Sequence, residues 1–452
     1  MDQFKIVWSM LFIQILITSF AISASTLGLL DSGADPKQEI LSKHLRLNKV
    51  EARGVRFKDD DKNGYIDDIE GWNFIEENGH AFDANNYGKF GDVFYKYYRI
   101  REKKALETWT PKEEAWYKEK REDEEFLEEL KKFRSFIHGS HVAGIAMYRD
   151  HKRFGPLNFI NVKYLGKAEN GAAKEPEYKP LKKGSTAGRI RHLKKFITKY
   201  NTWQEGKLAR AIDYVCKRAH VVNGSWGKSF KGSVKVVSQW YELEFESEPS
   251  KEISEELARL FLNNLIVRTQ RIAKRYPHIL FVFSAGNSKS DNDEFPHYPS
   301  DARGKNILAV GASNGGARTN SSNFGLKTVD LFAPGFLIAS TTPENRVLKT
   351  TGTSQAAPRV SHAALVIRNI NKSLLAPQIK RIIMETVDYN SEFISVSHGH
   401  LNLPRAIEAA KLSLKLSLPL AIKKAKKNVL PISFDKAFNS SKIEDDALPE
   451  PF

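Results

Sequence analysis

At 452 residues, 41% hydrophobic and 27% charged, the chain can bury a large core in one big domain or two. Its single cysteine, Cys216, excludes any intrachain disulfide, so an exported form would be held by packing or by metal. A net charge of +16 would suit nucleic acid, but the lysines and arginines are spread out and no nucleic-acid motif accompanies them. The charge is therefore read as solubility, and no nucleic-acid partner is expected.

Residues 1–24 open with Lys5 and an apolar run, and Ala21-Ile22-Ser23 and Ser23-Ala24-Ser25 offer small residues for cleavage. This reads as a signal peptide, with an uncleaved membrane anchor as the alternative. Export to the outside or the periplasm follows from the first reading, membrane attachment only from the second. Next, Leu27-Gly28-Leu29-Leu30-Asp31-Ser32-Gly33 predicts a buried parallel strand that delivers an acid at its carboxyl end. Asp-Ser-Gly alone would more often open a turn.

Residues 59–70 place oxygens at Asp59, Asp61, Asn63, Asp67 and Glu70, with Gly64 at the sixth position and the Tyr65 carbonyl at the seventh. That spacing suits Ca²⁺. No convincing helices flank it, so the expectation is a structural Ca²⁺ loop, against a solvated acidic turn. Residues 95–135 are charged and helical, with a capping box at Thr110-Pro111-Lys112-Glu113 and an apolar stripe of Phe126, Leu127, Leu130 and Phe133. This insertion is expected to end at Ile137-His138-Gly139-Ser140-His141-Val142-Ala143-Gly144. There His138 starts a helix from which it can reach a hydroxyl, and two histidines three apart keep a metal pair open.

A strand over 157–165 precedes a lysine-rich loop, 166–186, and a helix over about 205–218 holds Cys216 as a buried thiol. A strand then ends in Ser225-Trp226-Gly227, and residues 240–275 read as charged helix with Leu257, Leu260, Phe261 and Leu265 inward. The continuous run Ile279–Phe283 predicts a strand buried on both faces, leading through Ser284-Ala285-Gly286 to Asn287. Strands at 308–312 and 329–335 follow. In Gly352-Thr353-Ser354-Gln355-Ala356-Ala357-Pro358, glycine and Thr-Ser lead into a helix whose macrodipole favours negative charge beside Ser354. Pro358 has no N–H for the Ser354 carbonyl, so a distorted first turn is expected. By itself Ser354 is equally an ordinary N-cap. Helices near 376–386 and from Pro404 come before a basic end and a loosely ordered tail after about 430.

Asp, His, Asn and Ser follow one another along the chain; an acid, an imidazole and a hydroxyl are what acyl transfer needs, and the order Asp…His…Ser matches subtilisin. On these motifs the chain resembles a subtilisin-like serine protease, from about Thr26 to about Ala410. The resemblance implies a three-layer α/β/α sandwich around a mainly parallel sheet. Residues 25–412 would form the catalytic domain, with charged helical insertions at about 75–137, 166–205 and 240–275, and 413–452 a basic helix and tail. It implies a serine endopeptidase with Asp31, His138 and Ser354 as triad and Asn287 with the Ser354 N–H as oxyanion hole. Ser225, Trp226 and Gly227 would pair with an extended peptide, and Ser284, Ala285 and Gly286 would line the oxyanion segment. Catalysis would need no cofactor, the substrates would be proteins or peptides, and a monomer is expected. Ser140 stands where threonine is usual and Gln355 where methionine is common; neither touches the proton relay. Members usually carry a folding propeptide, whereas about 30 residues precede Asp31 here. The insertions lie toward the substrate side and are expected to narrow or gate the cleft.

Overall fold

The computed structural model describes residues 24–147, 154–166, 168, 174–181 and 183–432. The leader expected at 1–24 lies outside them but for its last residue, as does most of the expected tail. Among the described residues no helix is long and apolar enough to cross a membrane.

The strands are β1 (Ser25–Asp31), β2 (Trp72–Asn73), β3 (Leu157–Lys163), β4 (Val221–Gly224), β5 (Leu280–Ser284) and β6 (Ile307–Asn314). They continue with β7 (Ala317–Arg318), β8 (Leu331–Pro334), β9 (Ile338–Thr342), β10 (Arg346–Thr350), β11 (Asp388–Tyr389) and β12 (Gly399–His400). One sheet runs β11-β12-β8-β6-β5-β4-β1-β3-β2, with β7 on β6 and β9-β10 a separate hairpin. Within it β1 is parallel to β3 and β4, and β4, β5, β6 and β8 are mutually parallel in that order. The chain leaves β1 toward β3 on one side and later fills in β4 onward on the other. The strand order therefore reverses at β1, and the crevice beyond a parallel sheet's carboxyl edge opens at such a reversal. Asp31 is the last residue of β1.

The main helices are α1 (Asp92–Ala105), α2 (Pro111–Glu122), α3 (Glu124–Met147), α4 (Thr186–Cys216) and α5 (Phe230–Phe245). After them come α6 (Lys251–Lys274), α7 (Thr353–Ile370), α8 (Ala376–Glu385), α9 (Leu403–Leu412) and α10 (Leu418–Asn428). Alternate strand residues face opposite sides. Leu27, Leu29 and Val282 thus pack with α3, α7, α8, α9 and α10, while Leu30, Phe281 and Phe283 pack with α4, α5 and α6. The result is the expected three-layer α/β/α sandwich with a mainly parallel sheet.

The insertions differ in their bounds. The capping box at Thr110 forms as read, with the Thr110 backbone N–H donating to Glu113 at 2.8 Å. The insertion does not end before His138, however. Helix α3 runs unbroken from Glu124 to Met147, so His138 sits inside a helix and not at its start. The stripe of Phe126, Leu130 and Phe133 continues in register into Phe136 and Ile137, and an aromatic cluster with Phe90 and Phe94 buries it. That burial outweighs the helix-weakening effect of Gly139 and Gly144. The lysine-rich connection ends where expected, but the helix read from about 205 begins about twenty residues earlier, at Thr186 behind the Ser185 cap. Leu193, Phe196, Ile197 and Tyr200 supply the apolar spacing that the charged composition hides. The 240–275 stretch is two helices, broken where Glu246 adopts φ 54°.

Candidate active site

Asp31 is fully buried, and its Oδ1 accepts from the Ser32 N–H and faces His138 Nδ1, both at 2.7 Å. The loop after β1 is tied down by Asn161, whose side chain bonds both the N–H and the carbonyl of Ala34 at 2.9 and 2.8 Å. Helix α3 meets this loop at van der Waals limits. A Cβ on Gly139 would lie 2.2 Å from the Gly33 carbonyl oxygen, so only glycine lets the two backbones approach. The Gly139 N–H donates to Ser32 Oγ at 3.1 Å and the Asp35 N–H to Ser140 Oγ at 2.9 Å. These contacts set the distance between His138 and Asp31. His141 faces the other way and bonds the Leu348 carbonyl through Nε2 at 3.1 Å; burial pulls its pKa down to about 4. The structure thus separates the two histidines, and they do not form a metal pair.

Ser354 is the second residue of α7, and Gly352 is the N-cap, at φ 155°. The N-cap alternative for Ser354 is therefore set aside. The Ser354 hydroxyl donates to the Ser225 carbonyl at 3.1 Å, and the Ser225 hydroxyl donates back to the Ser354 carbonyl at 3.0 Å. That carbonyl is the one Pro358 leaves without a helical donor, so Ser225 supplies what proline removes. Behind it, Asn223 Nδ2 donates to Ser225 Oγ and Ser361 Oγ to Asn223 Oδ1, both at 2.9 Å. The expected distortion is thus a satisfied one, held by a buried polar chain. Asn223 and Ser361 are absent from the sequence-level reading; a lone Asn at the end of an apolar strand was their one signal.

Asn287 stands where expected, beside the serine. Its Oδ1 accepts from the Thr353 N–H at 2.9 Å and from Thr353 Oγ1 at 3.1 Å. With Oδ1 engaged, Nδ2 is left to serve an external oxygen, and a Cβ on Gly352 would be 3.5 Å from it. Thr353 is a further positioning residue, since its hydroxyl also receives the Gly286 N–H at 3.2 Å. Ser284 and Ala285 are buried, and Gly286 has φ 104°. The Trp226 indole donates to the Leu30 carbonyl at 2.9 Å, which ties the Ser225–Gly227 edge to β1.

The loop at 59–70 is organised differently from a simple ring around its own side chains. Asp59 accepts the N–H groups of Asn63 and Gly64, and Asp67 that of Phe57. The convergent carboxylates are those of Glu51, Asp61 and Asp68, with ligand atoms all within 4.8 Å of one another. Of the six expected ligands, Asp61 alone belongs to that group. Asn63 bonds both Asp61 and Asp68, while Tyr65 packs its ring against Trp72 and Tyr214. Glu51 and Asp68 are buried, and burial raises the Asp68 pKa. Hard carboxylate oxygens partly withdrawn from water fit a divalent cation of the Ca²⁺ type.

The family model described as "Subtilase family" matches residues 23–401. "Subtilisin-like protease 1" of Plasmodium falciparum is 24% identical over 420 residues, covering 89% of this chain and 46% of that protein. "Alkaline elastase YaB" of Bacillus sp. (strain YaB) is 35% identical over 129 residues, 28% of this chain and 32% of that protein. The chain spans about half the length, or less, of these curated relatives. Among solved structures, a cold adapted subtilisin-like serine proteinase covers 85% of this chain and 89% of its own, with 16% identity and a TM-score of 0.41. With the family model matching more than three quarters of its length, the chain belongs to the subtilase family.

Proposed function

We propose that this protein is a serine endopeptidase that hydrolyses protein or peptide substrates through an acyl-enzyme. The carrying observation is the buried Asp31–His138 pair at 2.7 Å, on elements whose contact fixes it, in a chain that also sets Ser354 at a helix start with Asn287 bonded to the adjoining Thr353. In the reaction the Ser354 hydroxyl turns from the Ser225 carbonyl toward His138 Nε2 and gives up its proton as Oγ bonds the substrate carbonyl carbon. Asp31 keeps the Nδ1 proton in place and stabilises the imidazolium. The developing oxyanion accepts from the Ser354 N–H and Asn287 Nδ2, whose orientation Thr353 fixes. On collapse the C–N bond breaks, the amine leaves with the proton from His138, and water then repeats the sequence on the acyl-enzyme. Ser225, Trp226, Gly227, Ser284, Ala285 and Gly286 bind the substrate backbone. The protein acts outside the cytoplasm as a monomer. Glu51, Asp61 and Asp68 would hold a structural Ca²⁺ beside the 59–70 loop and so tie down the segment that leads to β2; chelation is then expected to lower the unfolding temperature.

The test is fluorophosphonate labelling of the purified chain. Wild type is labelled and cleaves peptides, Ser354→Ala is not labelled, and Ser354→Ala or His138→Ala loses about 10⁶-fold in turnover. A folded wild-type chain that is neither labelled nor active would overturn the reading.

A further inference from the structure

The Lys207 side chain, on α4, belongs to none of the machinery above. Its Nζ lies 4.8 Å from the centre of the Tyr164 ring and 5.9 Å from that of Trp203. Tyr164 directly follows β3 at the carboxyl edge of the sheet and packs against Trp226 at 4.9 Å between ring centroids. One ring therefore separates the ammonium from the Ser225-Trp226-Gly227 edge. Among the described residues no carboxylate forms an ion pair with Lys207, although the surrounding α4 surface is well paired: Arg210 bonds Glu77 at 2.6 Å. A lysine seated on aromatic faces, with Glu175 and Glu77 near it but not bonded to it, keeps donors for a further anion.

We propose that Lys207, seated on Tyr164 and Trp203, recognises an acidic side chain of the peptide substrate that lies along the Ser225–Gly227 edge. A peptide extended on that edge sends alternate side chains to one side, so a single substrate position meets the ammonium. Lys228, directly after Gly227, adds positive potential to the same place; Glu175 and then Glu77 oppose it, and Arg210 adds a smaller positive contribution. Burial is the main reason that the Lys207 pKa is pulled down to about 8, with Lys228 next; an incoming carboxylate favours the charged form and so opposes both effects. The inference rests on the peptidase reading.

The experiment uses the full chain and a set of internally quenched peptides that carry Glu, Gln or Lys at each position on either side of one cleavable bond. At one position wild type prefers Glu over Gln by about five- to tenfold in kcat/KM, the scale of a partly desolvated charge pair. The Glu/Gln ratio at that position falls to about one in Lys207→Gln, and Lys becomes the preferred residue in Lys207→Glu. Because each ratio is taken within one variant, a reduced folded fraction cancels. The ratio also declines from pH 7 to pH 9.5 in wild type as the ammonium loses its proton. Turnover with no Glu preference at any position, or a preference that survives in Lys207→Gln, overturns this inference alone. Absence of both turnover and Ser354 labelling overturns the peptidase reading with it.

Discussion

Removing the Ser225 hydroxyl tests whether the broken helical turn at Ser354 is held from outside the helix. In Ser225→Ala the Ser354 carbonyl loses its donor and Asn223 Nδ2 its acceptor, in a region where Ser225 and Asn223 are fully buried. One buried unsatisfied group costs about 1–3 kcal/mol, so two amount to roughly 2–4 kcal/mol after partial relaxation. The structure also names the compensation. Pro358→Ala restores an N–H four residues after Ser354, which the orphaned carbonyl can accept in ordinary helical fashion. Ser225→Ala should therefore cost about 1 kcal/mol less in the Pro358→Ala background, a coupling of the size expected for groups that share one acceptor. Urea unfolding of the four proteins of this cycle, all carrying Ser354→Ala to prevent self-digestion, measures it. Additivity within about 0.3 kcal/mol would refute the argument that Ser225 replaces the donor that proline lacks.

Two further outcomes follow from the same geometry. Gly139→Ala puts a methyl 2.2 Å from the Gly33 carbonyl and forces α3 off the β1 loop. It should destabilise by about 1–3 kcal/mol and lower kcat/KM about 10²-fold, and unchanged active-site titration and turnover would contradict this. His141 is held well below the ordinary histidine range at about 4 because it is buried without charge. A depressed folded pKa means that its contribution is complete above pH about 6.5 and is lost as pH falls toward 4. His141→Gln should accordingly flatten the decline in unfolding free energy between those values, and an identical slope in both proteins would count against the assignment.

Strand and helix types were legible wherever the local pattern was strong. The continuous apolar runs at Leu27–Leu30 and Ile279–Phe283 fit strands buried on both faces and form them, and the capping box at Thr110 marks a helix start. The charged insertions were read less well, because lysine and glutamate dominate composition while a few residues such as Phe196 and Tyr200 decide burial. The 59–70 loop shows the same limit. Its spacing pointed to Ca²⁺ but not to Glu51 or Asp68, since Glu51 joins through a turn that only the folded backbone closes.

Residue order alone supplied the acid, imidazole, amide and hydroxyl, together with the missing proline N–H at the serine, since these depend on side-chain chemistry and local backbone. Tertiary structure decided what holds them. The 107-residue separation of Asp31 and His138 is closed by backbone contact at Gly33 and Gly139, and Ser225 reaches Ser354 over a separation of 129. Such contacts carry no local periodicity, because they follow from which strands lie side by side once both faces of the sheet are covered. The same placement brings Lys207 to the aromatic edge beside Trp226, where nothing in its own stretch of helix would have pointed to a substrate.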